Sequence, residues 1–581
     1  MELLYSNDKT TQILISLLKA HGIRKVVASP GTTNMCFVAS IQHDTFFELY
    51  SSIDERSAAY IACGLSHESG EPVVITCTEA TASRNYLPGL TEAFYRKLPI
   101  LVITGFHNTD YTGHLQTQVI DRTHYPIDTI RLSVPAKTCK NSKDEWTVMT
   151  NINKAILALS HNGGGPAHIN LQFPGNVGFD TKKLPPVKVI RRITPDDIYP
   201  TLPNGRIAIY VGSHKKWSEK LVRVVEEFCE IHNAIVLCDS TSGYNGKFCI
   251  RFSIVTTQKN IQSELFSPDL LIHIGEVSGD TYTQSKFRSA KTTWRVNEDG
   301  EVRDLFRNLE FIFQMSETSF FTYYLKNKEE EKCVSNSYLS ECQELKKIIH
   351  NKLSEFNFSN LWIAQQLSSH LPSNTSIHLG IFNSLRSWNM NELPFGVTSD
   401  CNVGGFGIDG TISTTLGSAL AQPDRLFLCI CGDLAFFYDM NALGNRHFPN
   451  NIRVMVINNG RGIEFRNYGH PAYSLGESAD PFISAAGHFG KKSIIQSYVE
   501  ALGFKYLSAS DKDSFTKTYT TFLDSNFLEG PIIFEVFTET YDESESLRKL
   551  RTTIEDQNVK NLAKKIIGTE ALKTIKKIIK G

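Results

Sequence analysis

Residues 432–443, Gly-Asp-Leu-Ala-Phe-Phe-Tyr-Asp-Met-Asn-Ala-Leu, and then the run Ile452-Arg453-Val454-Met455-Val456-Ile457 ending in Asn458-Asn459, decide how this chain is read. The apolar stretch that leads into Gly432 and the one that leads into Asn458 both have strand character, and a helix-length segment separates them. Two parallel strands joined in this way bring the Asp433 carboxylate and an asparagine amide oxygen side by side at the carboxyl edge of a sheet, where α/β proteins bind ligands. Hard oxygen donors in that position suit magnesium or another divalent cation, with positions left over for diphosphate oxygens and water. The register leaves Asn458 and Asn459 both open as the ligand; Asn459, with the carbonyl of Arg461, is the preferred pair.

Working outward, the turn Asn402-Val403-Gly404-Gly405-Phe406-Gly407-Ile408-Asp409-Gly410 precedes the helical run TISTTLGSALA. Glycines let backbone N–H groups approach phosphate oxygens, and a helix N-terminus adds a favourable dipole. A Gly-rich turn alone is weak evidence; followed by Gly-Asp and Asn-Asn it points to a diphosphate held through a cation. Elsewhere, short β-branched runs such as KVVAS, PVVITC, PILVITG, RIAIYVG, LLIHIG and PIIFEVF alternate with amphipathic stretches of helix length. That alternation predicts an α/β chain of doubly wound parallel sheets.

At 581 residues the chain is long enough for three or four domains of about 150 residues each. Breaks rich in Pro and charge at 184–197 and 326–337 divide it into blocks 1–185, 186–345 and 346–545, followed by a basic helical tail at 546–581. Hydrophobic residues make up 41%, charged residues 21%, and the net charge is −1, which argues against disorder and against nucleic acid as a partner. The start MELLYSNDKTTQILISLL has neither a basic region nor an apolar core of signal-peptide type, so a cytoplasmic location is expected. Twelve scattered cysteines read as reduced thiols rather than a zinc site. The tail, ending LAKKIIGTEALKTIKKIIKG, has apolar residues at helical spacing; membrane contact is the lesser reading, and packing on its own domain with solvated lysines is favoured.

The order GIDG, STTLG, GDLAFFYDMNAL, INN resembles the thiamine diphosphate-dependent enzymes, and among them the menaquinone-pathway synthases that join 2-oxoglutarate to isochorismate. The resemblance extends over nearly the whole chain. It implies a pyrimidine-binding block at 1–185, a central Rossmann-like block at 186–345 and a diphosphate- and metal-binding block at 346–545. It also implies a cofactor, thiamine diphosphate, with Mg2+, and a homodimer or homotetramer. Glu55, in Ile53-Asp54-Glu55-Arg56-Ser57, matches the glutamate that meets the aminopyrimidine ring. Such a carboxylate shares a proton with the ring nitrogen and lets the cofactor's own amino group act as base. An exposed acid in the first turn of a helix is the plainer alternative.

By the same resemblance Ile408 is the apolar wedge that bends the cofactor, and Pro30, Gly31, Thr81 and Asn85 wall its pyrimidine. Ser384, Gly405, Phe406, Gly407, Asp409, Gly432, Leu434, Ala435 and Ile463 line the remainder. Gln118 matches an active-site glutamine, and Lys286 a substrate lysine. The chain departs from the synthases at four arginine positions, now Thr33, His107, Trp388 and Val403, with Arg386 near the third. Guanidinium forks suit multiply anionic substrates, so their loss makes the same substrate pair an unfavoured reading. A carboxylate, Glu464, is gained where simple 2-oxo acid decarboxylases carry one, at a spacing one residue shorter, and is a candidate to protonate the acyl carbon. The expected function is decarboxylation of a 2-oxo acid donor with transfer of its acyl unit to an unidentified acceptor. The menaquinone synthase itself, a simple decarboxylase and a non-catalytic relative are the alternatives.

Overall fold

Buried β-branched runs become parallel strands throughout the computed structural model, which describes residues 4–107, 109–122, 124–327, 337–487, 493–527 and 530–554. These residues form two compact units, 1–200 with 297–315, and 201–296 with 316 onward. In the first unit, β1 (Lys25–Ala28), β2 (Glu48–Ser51), β3 (Val73–Cys77), β4 (Ile100–Phe106), β5 (Leu132–Ala136) and β6 (Ala167–Gln172) are all parallel, in the order β2-β1-β3-β4-β6-β5.

Successive side chains on these strands leave opposite faces, and the two faces bury different cores. Val26, Val74, Leu101 and Ile103 join one cluster with Val148 and Ile152 of a helix at Ser142–Ala158. Val27, Ile75, Ile100 and Val102 join the other, with Ala58, Ala59 and Ala62 of α1 (Glu55–Ser69) and Leu90 and Ala93 of α3 (Leu87–Tyr95), which follows the short α2 (Thr81–Asn85). The sheet is therefore covered on both sides, as the continuous apolar runs require. The same unit takes in Arg191–Ile193, paired in parallel with Leu309–Phe313, so the Pro-rich break at 184–197 lies inside it.

In the second unit, β7 (Ile207–Val211), β8 (Ala234–Leu237), β9 (Cys249–Ile250), β10 (Leu270–Ile274) and β11 (Thr293–Val296) run parallel in the order β9-β8-β7-β10-β11. A further sheet holds β12 (Thr375–Leu379), β13 (Thr398–Cys401), β14 (Leu426–Gly432), β15 (Ile452–Asn458), β16 (Lys505–Ala509) and β17 (Ile532–Phe537), in the order β13-β12-β14-β15-β17-β16. This is the strand order of the sheet in the first unit, repeated. Helices α4 (Asn383–Asn389), α5 (Thr411–Ala421) and α6 (Asp433–Asp439) follow β12, β13 and β14 in turn. The start of the expected tail belongs to α7 (Thr540–Arg551), whose Leu547 and Leu550 are buried and whose Leu550 carbonyl accepts from Gln258 Nε2 at 2.7 Å. The basic segment 555–581 lies outside the described residues, and among those described no helix is long and apolar enough to cross a membrane.

The contact of α1 with α3 places Gly89 so close to α1 that a Cβ there would stand 2.5 Å from Cβ of Ala59. Gly89→Val is expected to lower stability by about 1–3 kcal/mol, the usual range for overpacking. Urea unfolding followed by circular dichroism checks this, and an unchanged midpoint would count against the packing described.

Candidate cofactor site

Strands β14 and β15 are neighbours with Gly432 opposite Ile457, so the residues that follow them emerge together at the carboxyl edge. Asp433 opens α6 there and is only 4% exposed. Burial pushes its carboxyl up to about 7, even though the N–H groups of Leu434, Gly460 and Asp433 itself favour the charged form. A carboxylate withdrawn from water in this way is costly unless a cation joins it. Asn458 is already engaged: its Nδ2 donates to Glu535 Oε1 at 2.6 Å, and its Oδ1 accepts the Gly460 N–H at 3.1 Å. Asn459 differs, because its Oδ1 is buried and has no hydrogen-bond partner. Between the two asparagines left open by the sequence, it is Asn459 that keeps a donor oxygen to offer.

Around this pair the backbone is bare. A Cβ built on Gly404, Gly405, Gly432 or Gly460 meets nothing within 4 Å, so the space a side chain would fill is left open. The Gly-rich turn is held by Asn402, whose Nδ2 donates to Thr414 Oγ1 at 3.1 Å and whose Oδ1 lies 3.2 Å from His378 Nε2. Gly410, at φ +71°, caps α5 without a side-chain acceptor, which leaves first-turn N–H groups available. Asp439 takes one of these, accepting the Ser413 N–H at 2.6 Å. Ile408 packs on the core beneath the turn, and Ala435 and Ile463 are buried beside it. Open glycines, an unpartnered buried amide oxygen and a buried carboxylate fit a diphosphate with its cation. The Arg461 side chain pairs with Asp480, so only its carbonyl is available to a metal.

A cavity of about 210 Å³ lies in the same unit, bounded by Asp280, Tyr282, Phe382, Arg386, Phe406 and Glu464, among others. Phe382 (φ +64°) and Phe406 (φ +54°) are both in left-handed backbone conformation and meet edge to face with centroids 5.7 Å apart. Such strain in non-glycine residues collects at functional sites. Arg386 Nη2 donates to Glu464 Oε1 at 2.7 Å, while Asn467 Nδ2 donates to Glu464 Oε2 at 3.2 Å. Burial alone would raise the Glu464 carboxyl, but Arg386 and Asn467 outweigh it and hold it below the usual range. That suits a hydrogen-bond acceptor better than a proton donor. Ser384 is buried on the same helix as Arg386; Val403 and Trp388, two of the positions where arginine was expected, are buried as well. Lys286 donates to the Ile261 carbonyl at 2.9 Å and is absent from the cavity wall.

In the first unit, Asp54 caps α1 through the N–H groups of Arg56 and Ser57, which presents Glu55 at the first helical position. Asn85 Nδ2 donates to Glu55 Oε2 at 3.3 Å, and Thr81 and Asn85 are exposed on the short α2. Gly31, after Pro30, abuts Thr78: a Cβ there would stand 2.5 Å from Cβ of Thr78. Thr33 Oγ1 meets Thr78 Oγ1 at 2.7 Å, and Gln118 is exposed at φ +66°. One residue escaped the sequence reading: Glu79, buried and paired with His107. Its position just past the strand PVVITC was the available signal.

A thiamine pyrophosphate enzyme N-terminal TPP binding domain matches residues 8–125. A 2-succinyl-5-enolpyruvyl-6-hydroxy-3-cyclohexene-1-carboxylate synthase of Bacteroides fragilis is 30% identical over 569 residues, covering 94% of this chain and 99% of the relative. This chain belongs to the thiamine pyrophosphate enzymes. Synthases of the same name from Phocaeicola vulgatus (28% over 582 residues; 96% of this chain, 100% of the relative) and Flavobacterium johnsoniae (25% over 566 residues; 94% and 99%) agree. The family uses this cofactor, also called thiamine diphosphate, for carbon–carbon bond chemistry, and the open glycines and orphaned amide described above are what such an enzyme needs.

If Asp433 and Asn459 hold the cation, Asp433→Asn and Asn459→Ala each abolish the rise in melting temperature that thiamine diphosphate plus Mg2+ gives the unaltered enzyme. Asn458→Ala retains it, at some cost in basal stability. Differential scanning calorimetry with and without EDTA reads all three.

Proposed function

We propose that this enzyme decarboxylates a small 2-oxo acid and transfers the acyl unit to an acceptor that is less acidic than isochorismate. The observation that carries this reading is the Arg386–Glu464 ion pair, which spends on an internal carboxylate the guanidinium nearest the cavity. Trp388 and Val403, both buried, supply no cation to replace the expected arginines. Bound thiamine diphosphate supplies an electron sink for the acyl carbon once carbon dioxide leaves.

The chain's own residues do the rest in this proposal. Asp433, Asn459 and the Arg461 carbonyl hold Mg2+, and the Gly-rich turn with the first turn of α5 receives the diphosphate. Ile408, packed on the core beneath the turn, would support the cofactor from below. Glu55, oriented by Asn85, holds the proton at the pyrimidine N1′. A homodimer is part of the reading, because α1 carries Tyr60 and Ile61 exposed and Ile53, 85% exposed, stands just before it, close to Glu55. Apolar surface of that kind beside a catalytic acid is suited to a second copy.

A second reading, the 2-succinyl-5-enolpyruvyl-6-hydroxy-3-cyclohexene-1-carboxylate synthase itself, is favoured by the 30% and 28% relatives that match this chain almost end to end. Product analysis separates the two. Incubation with 2-oxoglutarate and isochorismate yields no succinyl adduct on the first reading, and yields it at a useful rate on the second. Glu55→Gln is expected to keep thiamine diphosphate binding in calorimetry while carbon dioxide release from any accepted 2-oxo acid falls by about 10²–10⁴-fold, the span of general acid–base catalysis. Retained turnover in that variant would remove Glu55 from its role.

A further inference from the structure

The strand order repeated in the two units has a consequence at the carboxyl edge of the first one. In the second unit, extending the register Gly432↔Ile457 puts Asp433 level with Asn458, one residue short of Asn459. In the first, extending Cys77↔Thr104 puts Glu79 level with Phe106, one residue short of His107. Glu79 and His107 therefore occupy in the first sheet the places that Asp433 and Asn459 occupy in the other. Both acids are buried, but they are neutralised differently. Asp433 has no cationic side chain against it among the described residues, whereas both Glu79 oxygens are spent on His107: Oε1 on ring Nδ1, Oε2 on the backbone N–H at 3.2 Å.

This pairing fixes what the imidazole presents. A carboxylate only accepts, so Nδ1 carries a proton and donates to Glu79, which leaves Nε2 as the ring nitrogen that can meet a ligand. The His107 side chain is 43% exposed while Glu79 is covered, so it is the Nε2 edge that is open to a ligand. The surroundings are built rather than incidental. Ala80, directly after Glu79, is held at φ +56°, ψ −127°, a strained backbone for a residue with a Cβ. Arg122 is buried, donates to the Gly105 carbonyl at 2.9 Å and leaves Nη1 without a partner. It lies within electrostatic reach of Glu79. The Phe173 ring meets the imidazole edge to face at 6.0 Å, and the bonded Thr33 and Thr78 hydroxyls share the same edge of the sheet.

We propose that His107, oriented by Glu79, recognises a hydroxyl group of the acceptor, so that the acyl acceptor is a neutral hydroxylated aldehyde or ketone. This rests on the carboligase reading and names its acceptor class. His107 is the specificity residue, hydrogen-bonding the hydroxyl group at Nε2; Glu79 is a positioning residue that acts through it. A site that pairs with a substrate hydroxyl discriminates against the analogue lacking it far more strongly than an apolar pocket does, because the buried polar group is otherwise left unpaired.

The experiment uses the full chain with thiamine diphosphate, Mg2+ and pyruvate as donor, and compares D-glyceraldehyde with propanal as acceptors. Carbon dioxide release and ligation product are measured separately. The unaltered enzyme is expected to prefer D-glyceraldehyde by at least about 10-fold in kcat/KM. His107→Phe erases that preference, raising KM for D-glyceraldehyde towards that for propanal. Glu79→Leu does the same and Glu79→Gln, whose amide oxygen still accepts from Nδ1, restores most of the preference. Normal circular dichroism and cofactor affinity certify that the variants fold. Turnover without acceptor preference, or a preference that survives His107→Phe, overturns this inference and leaves the carboligase reading standing. No carbon dioxide release from pyruvate or from 2-oxoglutarate overturns both.

Discussion

The carboxylate of Asp433 is delivered by a strand buried on both faces into a place that water scarcely reaches, and no cationic side chain among the described residues meets it. Such a group is costly as an anion unless a partner joins it, and a divalent cation would be one. The rest of the edge is arranged to admit such a partner: Asn459 keeps an amide oxygen unpaired, Asn458 is tied back by Glu535, and four glycines leave the neighbouring space unfilled. The parallel sheet makes this possible, since only a βαβ connection brings the ends of β14 and β15 out together with a helix N-terminus between them.

The same strand order serves a different chemistry in the first unit. There the equivalent acid, Glu79, is held from within by hydrogen bonds from His107, beside a buried arginine. One topology thus supports an edge whose acid meets no cationic side chain among the described residues and one whose acid is paired with a histidine, and the difference lies in whether an amide or an imidazole follows the next strand. Internal pairing recurs at the cavity of the second unit, where Glu464 occupies Arg386.

How much of this was legible in the chain of letters depends on the range of the interaction. Sheets, helices and the placing of Asp433 beside an Asn-Asn pair were readable because they follow from local periodicity and from residues at strand ends. The glycine-rich turn belongs to the same class. Partners separated by many residues were not readable. Arg386 looked like a free cation until Glu464, 78 positions later, closed on it, and His107 looked like a lone substitution until Glu79 proved to hold it.

By itself the sequence determined the α/β architecture, the family and the order of the cofactor-binding elements, because hydrophobic period, turn chemistry and strand-end residues act over a few positions and need no distant partner. Only the tertiary structure decided which of two adjacent asparagines keeps a donor oxygen, which charged side chains are already spent on one another, and which acid is left uncompensated. Those are questions of who meets whom, and a buried charge takes its character from its neighbours in space rather than from its neighbours along the chain.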